Sequence, residues 1–211
     1  MEIPAQGLGP DEAYKIMVGA VIPRPIAWIT SLGPDGIVNA APFSCYTFVS
    51  NKPPIVAINV GRRKGTPKDT ARNVAASGEF VLNVVPEDLV EVMHQTSADY
   101  PPDVSEPAAL GLELAPSRVV RTPRLAASPI NFECKLDRIL DIGDLKSQLV
   151  FGEIVMFHLR DDLVANGKID MKRFRPIARL GGPLYARLGE MVEMASAHPD
   201  ATTKAPARAA R

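Results

Sequence analysis

The segment with the most chemical content is Gly61-Arg62-Arg63-Lys64-Gly65-Thr66-Pro67-Lys68-Asp69-Thr70. It sets Arg62, Arg63, Lys64 and Lys68, with two glycines, just before a segment from about Asp69 to Ser77 that reads as a helix closed by Gly78. A helix start offers unpartnered backbone N–H groups and the positive end of the peptide dipoles, and flanking cations add charge-assisted hydrogen bonds. Such a loop suits a phosphate, with the Thr70 hydroxyl adding a donor in the first turn. A solvated basic loop, with Asp69 merely capping the helix, satisfies the same residues. The loop lacks the Gly-x-x-x-x-Gly-Lys-Ser/Thr pattern, and no Gly-x-Gly-x-x-Gly opens a helix elsewhere, so Walker and Rossmann phosphate sites are excluded.

A second group of residues could form a slot for a flat ring with polar edges. Thr30, Ser31, Asn39 and Ser44 put small polar groups on strands otherwise built of apolar residues, and Ala40, Ala41 and Pro42 keep the wall thin. Ordinary strand positions with occasional hydroxyls would read the same way. Trp28, the sole tryptophan, suits core or interface packing better than ring stacking. His94 is either a proton donor or ligand contact or a surface residue of its helix. Cys45 lies near the slot without a paired His or second Cys, which favours packing over nucleophilic chemistry. Arg179, beside Gly181 and Gly182, either reaches a phosphate or ring carbonyl or makes a surface ion pair.

These candidates need a scaffold, and the sequence supplies mostly strands. A lead-in segment, 1–20, carries a short helical possibility from Pro10 to Val18. Pro25 to Ser31 is β-branched and aromatic, and Gly33-Pro34-Asp35-Gly36 is a strong turn, so a hairpin is expected. Its return strand is expected over Ile37 to Val49, with a bend or edge at Pro42. Ile55 to Val60 and Glu79 to Val85 read as further strands, and Glu87 to Thr96 as a helix with Leu89, Val92 and Met93 inward. The three prolines of the loop from Asp99 to Pro107 argue against regular structure there. Strands follow over 112–120, 130–140 and 147–160, the last with Leu149, Phe151, Val155 and Phe157 on one parity. The pattern is mainly β with short helices, an α+β chain forming a barrel over 21–195. The tail 196–211 is polar, punctuated by proline and expected to be disordered.

With 211 residues and 46% apolar composition the chain can bury one substantial core. Basic and acidic residues balance at 24 each, which removes any global field toward nucleic acid or anionic lipid. The apolar runs are strand-sized, so no membrane span is expected, and the first residues lack a signal-peptide plan, which makes the cytoplasm the expected location. Cys45 and Cys134 fit no metal or redox spacing and read as two buried thiols, and three scattered histidines suggest no metal site.

Read in order, PRPIAWITSLGPDGIVNAAPFSCYTFVSNKPPIVAINVG, GTPKDTARNVAASGEFVLNVV, TSADYPPDVSE, SPINFECKLDRI, LVFGEIVMFHL and PIARLGGPLYAR resemble the flavin reductase-like, FMN-binding split-barrel family over roughly residues 15–190. The resemblance implies a homodimer of split β-barrels with FMN near the subunit boundary, its ring against the hairpin and its phosphate near Lys68-Asp69-Thr70. By position, Thr30, Ser31, Asn39, Ala41 and Ser44 match the family's flavin-lining strands. Lys68, Asp69 and Thr70 match its KDT segment, Arg62 or Arg63 the basic position ahead of it, and Arg179 the ARLGG-like segment. It further implies an oxidoreductase of the flavin reductase type, with NADH or NADPH as transient donor and a monooxygenase or redox protein as acceptor. An electron carrier resembling flavoredoxin, or a flavin-free binding module, are the alternatives. The flavin carries the redox chemistry in such proteins, so no catalytic side chain is assigned.

Overall fold

A computed structural model describes residues 1–194 of the chain. After helix α1 (Pro10–Ala20), strands β1 (Ala27–Leu32) and β2 (Val38–Phe43) form the expected hairpin. Its turn closes through Gly33 N–H to Ile37 O at 2.9 Å and Gly36 N–H to Gly33 O at 3.0 Å. Strands β3 (Tyr46–Asn51) and β4 (Pro54–Asn59) follow, then α2 (Asp69–Ser77), β5 (Glu79–Val84), α3 (Val90–Gln95) and the single-turn α4 (Glu106–Ala109). Two long strands, β6 (Ile130–Ile142) and β7 (Ser147–Leu159), complete the framework. Gly78 ends α2 at φ +71°, a left-handed position where glycine has no Cβ penalty.

The seven strands form one antiparallel sheet in the order β2-β1-β5-β6-β7-β4-β3. Its two edge strands, β2 and β3, are neighbours in the chain, joined only by Ser44 and Cys45. A flat sheet would hold its first and last strands about 29 Å apart, at roughly 4.8 Å per step. Three residue steps from Phe43 to Tyr46 reach about 11 Å at most. The sheet therefore has to curl until its edges approach, which makes a barrel with a seam at Phe43 to Tyr46.

Inside the curl, Ala27, Ile29, Phe43, Val56, Ile58, Phe80, Leu82 and Ile154 pack with Ala71 and Val74 from α2. Gly152 on β7 is dictated by this core, since a Cβ there would meet the Phe80 ring at 2.3 Å. The other parity of the hairpin packs outward: Trp28 and Ala40 join Ile26, Val85, Met93, Leu125 and Ile177 in a second core beside α3. Trp28 is fully buried, with its indole N–H donated to Thr96 Oγ1 at 3.0 Å.

Several sequence expectations are corrected. The return strand over Ile37 to Val49 is two strands on opposite edges, because the apolar alternation runs straight through the Ser44-Cys45 corner that separates them. Glu87 to Thr96 splits into a 3-10 turn, Glu87–Leu89, followed by α3, although Met93 is buried and Leu89 and Val92 pack on the same core as expected. Only Leu114–Ala115 of the 112–120 strand forms, and the proline-rich loop ends in helix α4 from Glu106. On β7 the inward residues are Val150, Gly152 and Ile154, while Phe157 is 50% exposed. Register shifts in the β6–β7 ladder, one of them opposite Glu133 and Cys134, break the simple alternation. Cys134 is buried, but Cys45 at the barrel corner is exposed. The tail 196–211 lies outside the described residues.

Candidate functional site

Strand β2 is an edge strand, so every second backbone group faces away from β1 without a ladder partner. The proline-rich loop supplies those partners from side chains. Ser105 Oγ donates to Val38 O at 2.7 Å, and Glu106 Oε2 accepts Ala40 N–H at 3.0 Å. The loop thus caps the strand edge and carries a carboxylate, 5% exposed, into the site.

That carboxylate ends a buried polar chain. Glu106 Oε1 accepts Asn39 Nδ2 at 2.7 Å, which leaves Asn39 Oδ1 to accept Thr70 Oγ1 at 2.9 Å and Ser31 Oγ at 3.4 Å. Asn73 Nδ2 donates to Ser31 Oγ at 3.2 Å. Burial pushes the Glu106 carboxyl above its usual range and Asp69 adds repulsion, against hydrogen bonds from Ala40 and Asn39 that favour the charge. Thr70, 2% exposed, commits its hydroxyl proton to Asn39, so it offers lone pairs to the groove.

The cations meet this chain at the start of α2. Lys68 is the N-cap residue, and no side chain caps the helix. Burial and the neighbouring Arg63 guanidinium lower the Lys68 pKa, while Asp99 works the other way. Its ammonium lies 5.5 Å from the centre of the Phe43 ring. Arg63 lines the same groove and pairs with Asp99 at 2.6 Å, tying the basic loop to the proline-rich loop. Arg62 turns the other way: Nε donates to Lys146 O at 2.5 Å, and Nη2 lies 3.3 Å from Asp141 at the tip of the β6–β7 hairpin. Asp69 pairs with Arg72 one turn along α2 and also lines the groove.

Asn39, Ala41, Pro42, Lys68, Thr70 and Glu106 surround a groove of about 100 Å³, which shares Pro42 and Ser97 with a cleft of about 490 Å³. Arg24, Ser44, Arg179 and Tyr185 line that cleft. Arg24, 7% exposed, fixes one wall by donating to Val18 O, Val21 O and Leu180 O at 2.7 to 2.8 Å and to Ser44 Oγ at 3.3 Å. The Arg179 guanidinium stacks 4.5 Å from the Tyr185 ring and donates to Gly182 O. His94 meets the Tyr185 hydroxyl at 2.9 Å from the surface side of α3.

The proposed residues therefore divide. Asn39, Ala41, Arg63, Lys68, Asp69 and Thr70 meet in one groove, and Ser44 and Arg179 stand in the adjoining cleft. Ser31 is fully buried behind Asn39 as a support. Thr30 belongs to the opposite face of β1, where its hydroxyl donates to Pro123 O at 2.7 Å. Arg62 braces the hairpin tip. Sequence reasoning missed Glu106 and Arg24. The Ser-x-x-Asp/Glu spacing that marks a capping glutamate does not apply to Glu106, whose partners on β2 are remote in sequence, and only an alternative strand partner for that edge would have pointed to it. Arg24 next to Pro23 and Pro25 carried no local signal at all.

A flavin reductase-like domain model matches residues 18–178. The chain belongs to the flavin reductase-like family. It is 35% identical to nitrilotriacetate monooxygenase component B from Bacillus cereus, with a TM-score of 0.89 over 92% of this chain and 98% of that one. It is 36% identical to the 2-nitrobenzoate 2-nitroreductase of Pseudomonas fluorescens, with a TM-score of 0.86 over 95% and 100% of the two chains. A structure from Shewanella frigidimarina described as having a split barrel domain shares the fold at 22% identity, with a TM-score of 0.82 over 93% and 100%. The curled sheet is thus the split barrel of flavin-binding proteins. In this flavin reductase-like chain the whole groove falls inside the matched residues, while Arg179 and Tyr185 of the cleft lie just past them.

Proposed function

We propose that the chain is an FMN-dependent oxidoreductase, in its simplest form an NAD(P)H-dependent flavin reductase. The observation that carries this reading is the meeting, in one groove, of two half-buried cations at an uncapped helix start with a strand wall of Ala41 and Pro42. Lys68 and Arg63 repel one another until an anion lies between them, and the free N–H groups of α2 add donors, which fits a 5′-phosphate. The thin β2 wall fits a flat ring. The groove alone is too small for a nucleotide, but with the cleft it reaches the roughly 300–1,000 Å³ typical of ligand sites.

Bound there, the flavin supplies hydride acceptance from a nicotinamide. The protein's part is to hold the phosphate with Lys68 and Arg63, to keep β2 rigid through Ser105 and Glu106, and to receive the rest of the nucleotide in the cleft beside Ser44, Arg24 and Arg179. No side chain is required as acid or base.

The reading includes a homodimer, a cytoplasmic location and a monooxygenase or redox protein as electron acceptor. Exposed apolar side chains on β3 (Phe48, Val49) and at the β6–β7 tip (Leu140, Ile142, Leu145) support a second copy. Light scattering on the purified chain tests that state. Among the described residues no helix is long and apolar enough to cross a membrane.

The deciding experiment is a visible spectrum of the purified protein with added FMN, repeated after anaerobic NADH or NADPH. Flavin absorption that bleaches with a nicotinamide supports the reductase. Reduction only by a protein donor would make the chain an electron carrier, and failure to take up FMN would leave a flavin-free binding module.

A further inference from the structure

The polar floor of the groove has a direction. Asn73 donates to Ser31, Ser31 and Thr70 donate to Asn39, and Asn39 and the Ala40 N–H donate to Glu106. A carboxylate has about four acceptor sites, and the Thr70 hydroxyl, once its proton is given away, keeps only lone pairs. Asn39 Oδ1 is filled by its two donors, whereas Glu106 and Thr70 turn unfilled acceptor capacity toward a groove whose other end holds Lys68 and Arg63. A phosphate is repelled by this floor and belongs at the cationic end. The floor calls instead for a ligand segment that brings hydrogens: a row of hydroxyl groups.

Resting on the flavin reading above, we propose that Glu106, with Thr70 Oγ1, is the reader of the flavin's polyol chain, accepting its hydroxyl hydrogens between the phosphate end and the ring wall. Glu106 touches the ligand and also fixes which way the Asn39 amide faces, since an ionised carboxylate can only accept. A carboxylate stripped of water by burial gains most from new donors, so hydroxyls are favoured over bare ring atoms at this position.

Three ligands separate the parts: lumiflavin has only the ring, riboflavin adds the polyol, and FMN adds the phosphate. Titrations of the full chain followed by flavin fluorescence should show riboflavin binding about tenfold tighter than lumiflavin. Glu106→Gln has one acceptor oxygen where two are needed, and should weaken riboflavin and FMN alike by about tenfold while lumiflavin stays within about twofold. Thr70→Val, which keeps the shape and removes the lone pairs, should act in the same direction and serves if the glutamine variant does not fold. Equal affinity of the unmodified protein for lumiflavin and riboflavin overturns the proposal, as does a loss in either variant that includes lumiflavin. Lys68→Ala tests the parent reading separately, because it should weaken FMN alone. Binding of none of the three flavins overturns that reading itself.

Discussion

Among the described residues two glutamates are buried, and they are buried to different ends. Glu133 on β6, with no exposed surface, accepts the backbone N–H groups of Arg118, Val119 and Val120 at 2.6, 2.7 and 2.9 Å and meets His158 Nε2 at 2.5 Å. Burial opposes its charge, yet these four hydrogen bonds prevail and hold the pKa down to about 2. Glu106 receives one backbone N–H and one amide, and burial prevails instead, so its pKa is raised. A carboxylate whose lone pairs are filled from within pins a loop. One left short is where a ligand can supply the missing hydrogens.

The largest effect should come from the satisfied member. Glu133→Ala strands three N–H groups of the 118–120 loop and removes the partner of His158. A loss on the order of 3–5 kcal/mol is expected, and a fall in Tm of about 10 °C, measured by thermal and urea unfolding. Glu106→Gln should cost less than half of that, because fewer groups lose their partner. A comparable loss for both would erase the distinction drawn between them.

Acid should separate the two carboxylates next. The folded pKa of Glu133 is depressed from 4.5 to about 2, so its contribution is complete above pH 4.5 and disappears as pH falls toward about 2. That contribution is about 3 kcal/mol. For Glu106 the sign reverses: with a raised folded pKa, its contribution is present below the unfolded value and is lost as pH rises through the folded one. Urea midpoints between about pH 2.5 and 7 should fall steeply on the acid side for the unmodified chain, and Glu133→Gln should flatten that limb. An unchanged acid limb would mean that other carboxylates govern acid unfolding.

This contrast also marks what can be read from sequence. The hairpin turn at Gly33 to Gly36 and the helix from Asp69 to Ser77 are local signals, and each has its expected place, while of the cations ahead of the helix Arg63 and Lys68 line the groove and Arg62 turns away. Glu106 sits in a proline-rich loop 67 residues from Asn39, and its meaning comes only from the free edge of β2. The corner at Ser44-Cys45 was hidden because alternation continued through it, and the inward face of β7 because register shifts break its parity. Pairings set by topology leave little local trace, whereas caps, turns and charge runs leave a clear one.

Within the cationic end, Lys68→Ala should weaken FMN by about 10- to 100-fold and riboflavin hardly at all, since only FMN bears the phosphate. Equal losses would place the phosphate elsewhere. Both ligands are measured by the same fluorescence titration.

The smallest effect tests the finest division, that between adjacent arginines. Arg62 and Arg63 are equivalent in sequence, but a two-residue antiparallel pairing, Arg62–Arg63 with Thr66–Pro67, sends alternate side chains to opposite sides of the loop. Arg62 is already committed to Lys146 O and Asp141, so Arg62→Ala should change FMN affinity by less than about twofold and cost about 0.5–1 kcal/mol of stability. Arg63→Ala should do the reverse, weakening FMN by about three- to tenfold, less than Lys68→Ala because Asp99 already takes part of its charge. If the Arg62 variant proved the weaker FMN binder, the basic loop would have to rearrange on binding, and the division of labour between its two arginines would belong to the free protein alone.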